Sequence, residues 1–293
     1  MAADKVTETA EERWDRIPRI STGEEYVQSL RGRDLDVHLF GERIAEPVDH
    51  PIIRPSVNAL KKTYELAEQD PDVATAHSDL VNGPVNRFLH IVQSPDDLVM
   101  KGRMQRRLGQ LTGTCFQRCT GLDAVSVLHS ITYDIDEKTG TSYHDRFLAF
   151  LKTAQQKNVM IAAGMTDPKG DRSKRPSDQA DPDLFMRVVR RNEDGVYIRG
   201  AKAHMTGGIN SHWICIMPTM NLGAQDRDYA IACVVPVDAA GITYIYGRQS
   251  CDTRALETGD IDQGNAQFGG QEVLAVFEDV FVPHEHVFMD GEY

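Results

Sequence analysis

The 293-residue sequence has no uninterrupted apolar stretch near the ~20 residues needed to cross a bilayer. Its first sixteen residues, MAADKVTETAEERWDR, are charged and lack the apolar run of a secretory signal. There is no basic excess either: 32 Lys and Arg stand against 44 Asp and Glu, a formal net charge of −12. Counterion-release binding needs clustered Lys and Arg, so a general nucleic-acid or anionic-membrane surface is not expected. A local basic pocket for an anionic ligand is still allowed. Cysteine is scarce: five residues, at 115, 119, 215, 233 and 251, form an odd and sparse set. Structural disulfides are therefore not expected, the thiols should be reduced and free to act as ligands, and a cytoplasmic location follows. No internal repeat or low-complexity segment is evident.

What is present is the composition of a folded chain, with 41% hydrophobic and 26% charged residues and only 13 prolines. The length suggests two domains, or one plus a long partial one. Thr22-Gly-Glu-Glu25 is a capping box that opens a short helix through Leu30. A turn-rich loop with Gly41, Pro47, Pro51 and Pro55 follows, then a helix over about 56–69 that Asp70-Pro71 stops. Ser94-Pro95-Asp96-Asp97 combines a cap, a proline at the first helical position and acid in the first turn. Leu98, Met104, Leu108 and Leu111 continue at helical spacing, as do Cys115, Cys119, Leu122, Val125 and Leu128 beyond two weakening glycines, Gly109 and Gly113. A further helix is expected over about 143–156.

Near Val159 the pattern changes to β-branched runs and hairpin signals. Strands are expected over 184–189 and 196–199 around the turn Asn192-Glu-Asp-Gly195, and later over 213–217, 229–235, 242–246 and 273–277. Pro236 and Pro283 lie near strand ends. The expectation is an α+β chain, with a helical N-terminal domain over 1–157 and a mainly antiparallel β-domain over 158–293.

Four segments could carry chemistry. Cys115-Phe-Gln-Arg-Cys119 places two thiols at i and i+4, which on a helix share one face with Cβ atoms about 5–6 Å apart. Such a pair could bind adjacent irons of a cluster or share a zinc, or could be two packed core thiols. Thr166-Asp-Pro-Lys-Gly-Asp-Arg172 is a loop whose backbone at Gly170 could approach a flavin, with Lys169 or Arg172 supplying positive charge; the alternative is a solvated turn. His204-Met-Thr-Gly-Gly-Ile-Asn210 is a similar small-residue turn, in which His204 and Thr206 could contact a ring system or be structural. Glu272 enters an apolar strand, where partial desolvation would raise its pKa and suit a general base or acid, unless it simply points to solvent. His284 and His286, beside Pro283, receive no role.

Together these segments resemble one family, the 4-hydroxybutyryl-CoA dehydratases. The matching strings also include Asp49-His-Pro-Ile-Ile-Arg-Pro-Ser56, Arg199-Gly-Ala-Lys-Ala-His204, Ile209-Asn-Ser-His212, Ile245-Tyr-Gly-Arg-Gln-Ser-Cys-Asp-Thr-Arg254 and Gln267-Phe-Gly-Gly-Gln-Glu272. They recur in order from about residue 23 to the end. The resemblance implies an acyl-CoA-dehydrogenase-like flavoprotein in which a second helical domain follows the β-domain, and that third domain is expected to be absent from this chain. It implies FAD- and [4Fe-4S]-dependent radical dehydration of 4-hydroxybutyryl-CoA to crotonyl-CoA, with iron acting as Lewis acid on the departing hydroxyl. Vinylacetyl-CoA isomerase activity accompanies it.

By the same resemblance, Cys115 and Cys119 are two cluster ligands, the remaining His and Cys lying in the domain beyond residue 293. Met165, Thr166, Asp167, Lys169, Gly170, Asp171, Arg172, His204 and Thr206 bind FAD, and Glu272 is an active-site acid. Where the related pattern has Gln between His and Thr, this chain has Met205. The partners implied are an acyl-CoA substrate and either further copies of the chain or a partner chain carrying the missing domain. Two rivals share much of this pattern: a two-component aromatic monooxygenase resembling the 4-hydroxyphenylacetate 3-hydroxylases, which has no cluster, and an inactive fragment or subunit that waits for a partner.

Overall fold

The computed structural model describes residues 10–247 and 267–293. Cys251 and the stretch 248–254 of one matching string lie outside the described residues.

The local helix signals produce the helices they specify. Helix α1 spans Ala10–Arg16 and α2 spans Gly23–Ser29, the latter opened by the Thr22 capping box with both reciprocal bonds made. Helix α3 runs Arg54–Gln69, and the short α4, Pro71–Ala74, restarts the chain in a new direction after Asp70. Ser94 caps α5, Pro95–Thr112, by accepting from the Asp97 N–H. Helices α6, Cys119–Thr139, and α7, Tyr143–Lys157, complete the helical layer. Among the described residues no helix is long and apolar enough to cross a membrane.

The helical run expected to continue through Cys115 is interrupted. Gly113 ends α5 in the left-handed region at φ 62°. Gln117 is also left-handed, at φ 69°, so α6 begins only at Cys119. The two thiols therefore belong to a turn and to the first residue of a helix, rather than to one helical face.

The first half is also less helical than its sequence pattern suggests. Within the turn-rich segment, β1, Asp36–Leu39, and β2, Glu42–Arg43, form an edge hairpin. Strand β1 pairs in parallel with β10, Ile242–Tyr246, with Asp36 facing Thr243 across 207 positions of chain. Only Val37 and Leu39 carry the period-2 burial, too short a signal to stand out among the surrounding prolines. A second hairpin joins β3, Thr75–Ser78, to β4, Gly83–Asn86.

Strand β5 spans Ile161–Gly164, β6 Arg187–Arg191, β7 Gly195–Thr206, β8 Trp213–Ile216 and β9 Ile231–Pro236. Strand β11 spans Glu272–Pro283 and β12 Val287–Asp290. They form a six-stranded sheet in the order β2-β1-β10-β11-β7-β6 and a four-stranded sheet in the order β12-β9-β8-β5. Pairing is antiparallel except for β1 with β10 and β5 with β8. The expected pattern, an almost entirely helical first half and a mainly antiparallel second, thus gives way to a mixed α/β arrangement in which β1, from the first half, joins the six-stranded sheet.

Burial explains the layers. Ile214 and Ile216 of β8 face the six-stranded sheet, whereas Trp213 and Cys215 face α6 and α7. With both faces covered, β8 is apolar at every position instead of alternating. Cys215 and Cys233 are core residues of the two faces. Helix α6 lies against β5 at Gly121, where an added Cβ would stand 2.1 Å from the Ile161 carbonyl oxygen. That contact fixes the N-terminal turn of α6, and with it Cys119.

Two histidines are buried without charge. Burial pushes His286, packed edge-on to Trp213, down to about 4, and burial next to Arg33 and Arg118 pushes His212 down to about 3. The unfolded chain takes up these protons near pH 6.5 while the folded chain refuses them, so the stability present above pH 6.5 is lost progressively toward pH 4. The urea midpoint is expected to fall on going from pH 7 to pH 5. A flat or rising midpoint over that range would contradict the burial of neutral imidazoles.

Candidate active site

The site is organised by an irregularity in the β7–β11 ladder. Met205 faces Val273 and Lys202 faces Ala275, so Ala203 and His204 together oppose the single residue Leu274. This is a β-bulge, and His204 takes the left-handed conformation at φ 55°. The bulge turns Met205 into the core, leaves His204 exposed, and sets Thr206 directly opposite Glu272. The Thr206 hydroxyl donates to Glu272 Oε1 at 2.7 Å. Partial burial holds the Glu272 carboxyl above its ordinary range, opposed by that hydrogen bond and by His204.

A raised carboxyl pKa means that the folded state favours the protonated form, so stability falls as pH rises through the carboxylate range. Glu272→Gln, which keeps an acceptor for Thr206, is therefore expected to raise the urea midpoint at pH 8 by more than at pH 4. An equal change at both values would remove burial as the cause of the shift.

The cysteine turn packs beside this strand end. Gly269 N–H donates to the Pro55 carbonyl at 2.9 Å, and a Cβ placed on Gly270 would lie 3.6 Å from Cys115 Cβ. Cys115 is exposed and Cys119 half-buried. The two neighbouring thiols act on each other, pushing Cys119 down to about 7 and Cys115 up, with burial and Glu272 adding to the upward push. The two thiols and Glu272, singled out separately in the sequence, are thus brought to one place.

What holds them there was not singled out. Gln117 is fully buried, and its amide nitrogen donates to the Ser56 carbonyl at 2.7 Å and the Gly269 carbonyl at 3.3 Å. Its Oε1 accepts from Asn210 Nδ2 at 2.9 Å, and the same nitrogen reaches Ser56 Oγ at 2.9 Å. These bonds join the cysteine turn, α3, the Glu272 strand and the turn after Thr206. Next in the chain, the Arg118 guanidinium is buried over the rings of Tyr64 (4.5 Å) and Phe88 (5.1 Å). All three residues between the thiols of the matching string, Phe116, Gln117 and Arg118, are therefore buried, which their position inside that string could have signalled.

The loop Met165–Arg172 leaves β5 and meets the bulge, because Ala203 N–H donates to the Thr166 carbonyl at 2.8 Å. Its root is fixed by Lys202, which is 1% exposed. The ammonium group contacts Asp167 Oδ1 at 2.8 Å and the carbonyls of Met165 and Met217 at 3.0 Å each. Asp167 also accepts from Met186 N–H. Further along, Gln179 Oε1 accepts from Asp171 N–H at 2.9 Å while its Nε2 donates to the Asp171 carbonyl at 2.8 Å. The Asp171 carboxylate takes the Ser173 N–H and hydroxyl. Gly170, Lys169 and Arg172 remain exposed. Asp167 and Asp171 shape the loop from within, and Lys202 and Gln179 are supports that the sequence reading missed.

Over residues 22–289 the chain matches the family model described as 4-hydroxyphenylacetate 3-hydroxylase N terminal. The chain belongs to that hydroxylase family. Within the family it is 53% identical over 278 residues to the 4-hydroxybutyryl-CoA dehydratase/vinylacetyl-CoA-Delta-isomerase of Clostridium aminobutyricum, covering 94% of this chain and 56% of that one. A solved oxygen-tolerant archaeal 4-hydroxybutyryl-CoA dehydratase from N. maritimus superimposes with a TM-score of 0.90 at 61% identity, covering 94% of this chain and 55% of that one. The resemblance drawn from the motifs is therefore borne out. The oxygenase component of 4-hydroxyphenylacetate 3-monooxygenase, solved with FAD, shares the fold of this hydroxylase-family chain, with a TM-score of 0.73 at 22% identity over 93% of this chain and 56% of that one. The chain spans about half the length of the relatives it matches.

Proposed function

We propose that this chain is the N-terminal and middle part of an FAD- and [4Fe-4S]-dependent 4-hydroxybutyryl-CoA dehydratase, forming crotonyl-CoA and water. The observation that carries the reading is the adjacency of a free, partly exposed thiol pair to a glutamate of raised pKa. The donor set suits the cluster: two free thiols, one on the turn before α6 and one at its first residue, can serve neighbouring irons. They are half a ligand set, and among the described residues no group of three potential metal-binding side chains occurs. The remaining ligands come from outside those residues, from a further domain or a partner chain.

Met165, Thr166, Asp167, Lys169, Gly170, Asp171 and Arg172 would form one wall of the FAD site, and His204 and Thr206 the adjoining one. Lys169 and Arg172 supply positive charge for the pyrophosphate, while Asp167 and Asp171 keep the loop in shape. When bound, the flavin supplies one-electron chemistry and the cluster supplies Lewis acidity at a leaving oxygen. Glu272, as carboxylate, takes the proton from C2 of the acyl-CoA, and its half-buried setting brings its basicity closer to neutral pH. Thr206 fixes the rotamer of that carboxylate through Oε1. The assembly is a homo-oligomer or a complex with a completing chain, working in the cytoplasm.

The aromatic monooxygenase reading is favoured by one observation, the match to the hydroxylase family model; the thiol pair beside Glu272 gives it no explanation. Anaerobic purification of the chain in its native assembly separates the two. The dehydratase reading expects a flavin spectrum, about four iron atoms per flavin, and conversion of 4-hydroxybutyryl-CoA to crotonyl-CoA. Oxygen-dependent hydroxylation of a phenol with supplied reduced flavin, or dehydration by an iron-free preparation, overturns it.

A further inference from the structure

A second concavity lies at the far end of β8 from the Met165–Arg172 loop. It is a cleft of about 520 Å³ between α1, α2 and the chain around His212 and Val237. In a chain of net charge −12, five arginines line it. Three are already paired: Arg13 and Arg16 with Asp238, at 2.5 and 3.5 Å, and Arg31 with Asp49. The other acids of the cleft are engaged as well. Glu24 meets Lys61 at 3.1 Å, and Glu25 accepts the backbone N–H groups of Ser21 and Thr22.

Arg33 and Arg19 are different. The Arg33 guanidinium is held by three backbone carbonyls, Leu30, Ile209 and Ser211, at 2.8, 2.8 and 2.5 Å. Three of its five N–H donors are used, its orientation is fixed, and among the described residues no carboxylate pairs with it. Arg19 is exposed, and among the described residues it too has no carboxylate partner. The floor is rigid: His212, 5% exposed, meets Ser29 Oγ at 2.9 Å and accepts from Met160 N–H at 3.0 Å. Ile17, Pro18 and Val237 supply apolar wall.

We propose that this cleft binds a phosphate-bearing metabolite of nucleotide size, with phosphate on Arg19 and Arg33 and the organic part against Ile17, Pro18 and Val237. Guanidinium forks match phosphate oxygens in geometry and charge. The volume falls in the range of small-molecule sites and exceeds what a bare phosphate fills. The site goes beyond the dehydratase reading and stands whether or not that reading holds.

Calorimetric titration of the full chain with adenosine 3′,5′-bisphosphate tests it, with adenosine and inorganic phosphate titrated in parallel. One saturable site is expected for the bisphosphate, with both fragments at least about tenfold weaker. Arg19→Glu, at an exposed residue with no ion pair to disturb among the described residues, should weaken the bisphosphate by about tenfold or more. The double variant Lys169→Ala/Arg172→Ala, and prior loading with FAD, should leave that binding unchanged. Unchanged affinity in Arg19→Glu overturns the assignment, as does displacement by FAD, which would place the nucleotide at the Met165–Arg172 loop. No saturable binding, or inorganic phosphate binding as tightly as the bisphosphate, overturns it also.

Discussion

Lys202→Ala is expected to lower the stability of the folded chain by about 3–5 kcal/mol, because it leaves the carboxylate of Asp167 buried without its cation. The loss is larger than for an ordinary surface ion pair because both partners are out of water: Lys202 is 1% and Asp167 7% exposed at the side chain. The ammonium group also satisfies the carbonyls of Met165 and Met217, so two backbone acceptors are orphaned at the same time. Replacing both partners, as Lys202→Met with Asp167→Leu, removes the stranded charge and should recover part of the loss. Urea unfolding of the single and double variants measures this. A single variant within about 1 kcal/mol of the parent would show that water replaces the ammonium group at no great cost. Because Lys202 ties the roots of two loops together, the single variant should also lose flavin affinity, whereas Arg172→Ala should weaken flavin binding without lowering the urea midpoint.

Cys119→Ala and Cys115→Ala should each abolish iron incorporation, because a cluster with one protein thiolate removed loses a bond that no other thiol among the described residues is placed to supply. Among the described residues the remaining thiols, Cys215 and Cys233, are buried in the core, where burial pushes them up to about 12 and beyond. They cannot substitute. Iron and acid-labile sulfide analysis of anaerobically prepared protein gives the readout, with flavin content as the internal control. Flavin should remain, since its proposed wall is the loop on the other side of the bulge. A variant that keeps its full iron content would remove the thiol pair from the ligand set, and parallel loss of flavin and iron would point to collapse of the turn instead.

The parts of the fold that were legible in the sequence are those decided within a few residues. Thr22 with Glu25, and Ser94 with Asp97, close their own hydrogen bonds inside one helical turn, and the helices begin where those residues stand. Strand β10 was legible at both ends because Ile242–Tyr246 alternates and is bounded by Gly241 and Gly247. What depended on distant partners was not. Strand β1 exists because β10 offers it an edge, and nothing between Asp36 and Leu39 announces that edge.

The site divides in the same way. The thiol pair was singled out for a helical geometry that the chain does not adopt. Gln117 is left-handed because Ser56, Gly269 and Asn210, each remote in sequence, hold its amide. The bond between Thr206 and Glu272 follows from a register that the bulge at His204 sets, and period-2 reasoning has no way to place a bulge. Lys202 stood in a matching string, yet lysine is ordinarily exposed, so a role at the centre of the molecule was the last to be expected from its identity.

The parallel pairing of β1 with β10 also sets a timetable. A ribosome delivers this chain from its N-terminus, and by the time α7 has emerged the helices can pack on one another, but β1 still has no neighbour on its inner side. Closing that pair joins positions 207 apart, the slowest class of contact for a chain to find. Until residue 246 has cleared the exit tunnel, the early hairpin presents an open strand edge to the cell, where other chains can pair with it. Its protection in that interval rests on its brevity and on charge: four residues in β1 and two in β2, with Asp36, Glu42 and Arg43 among them.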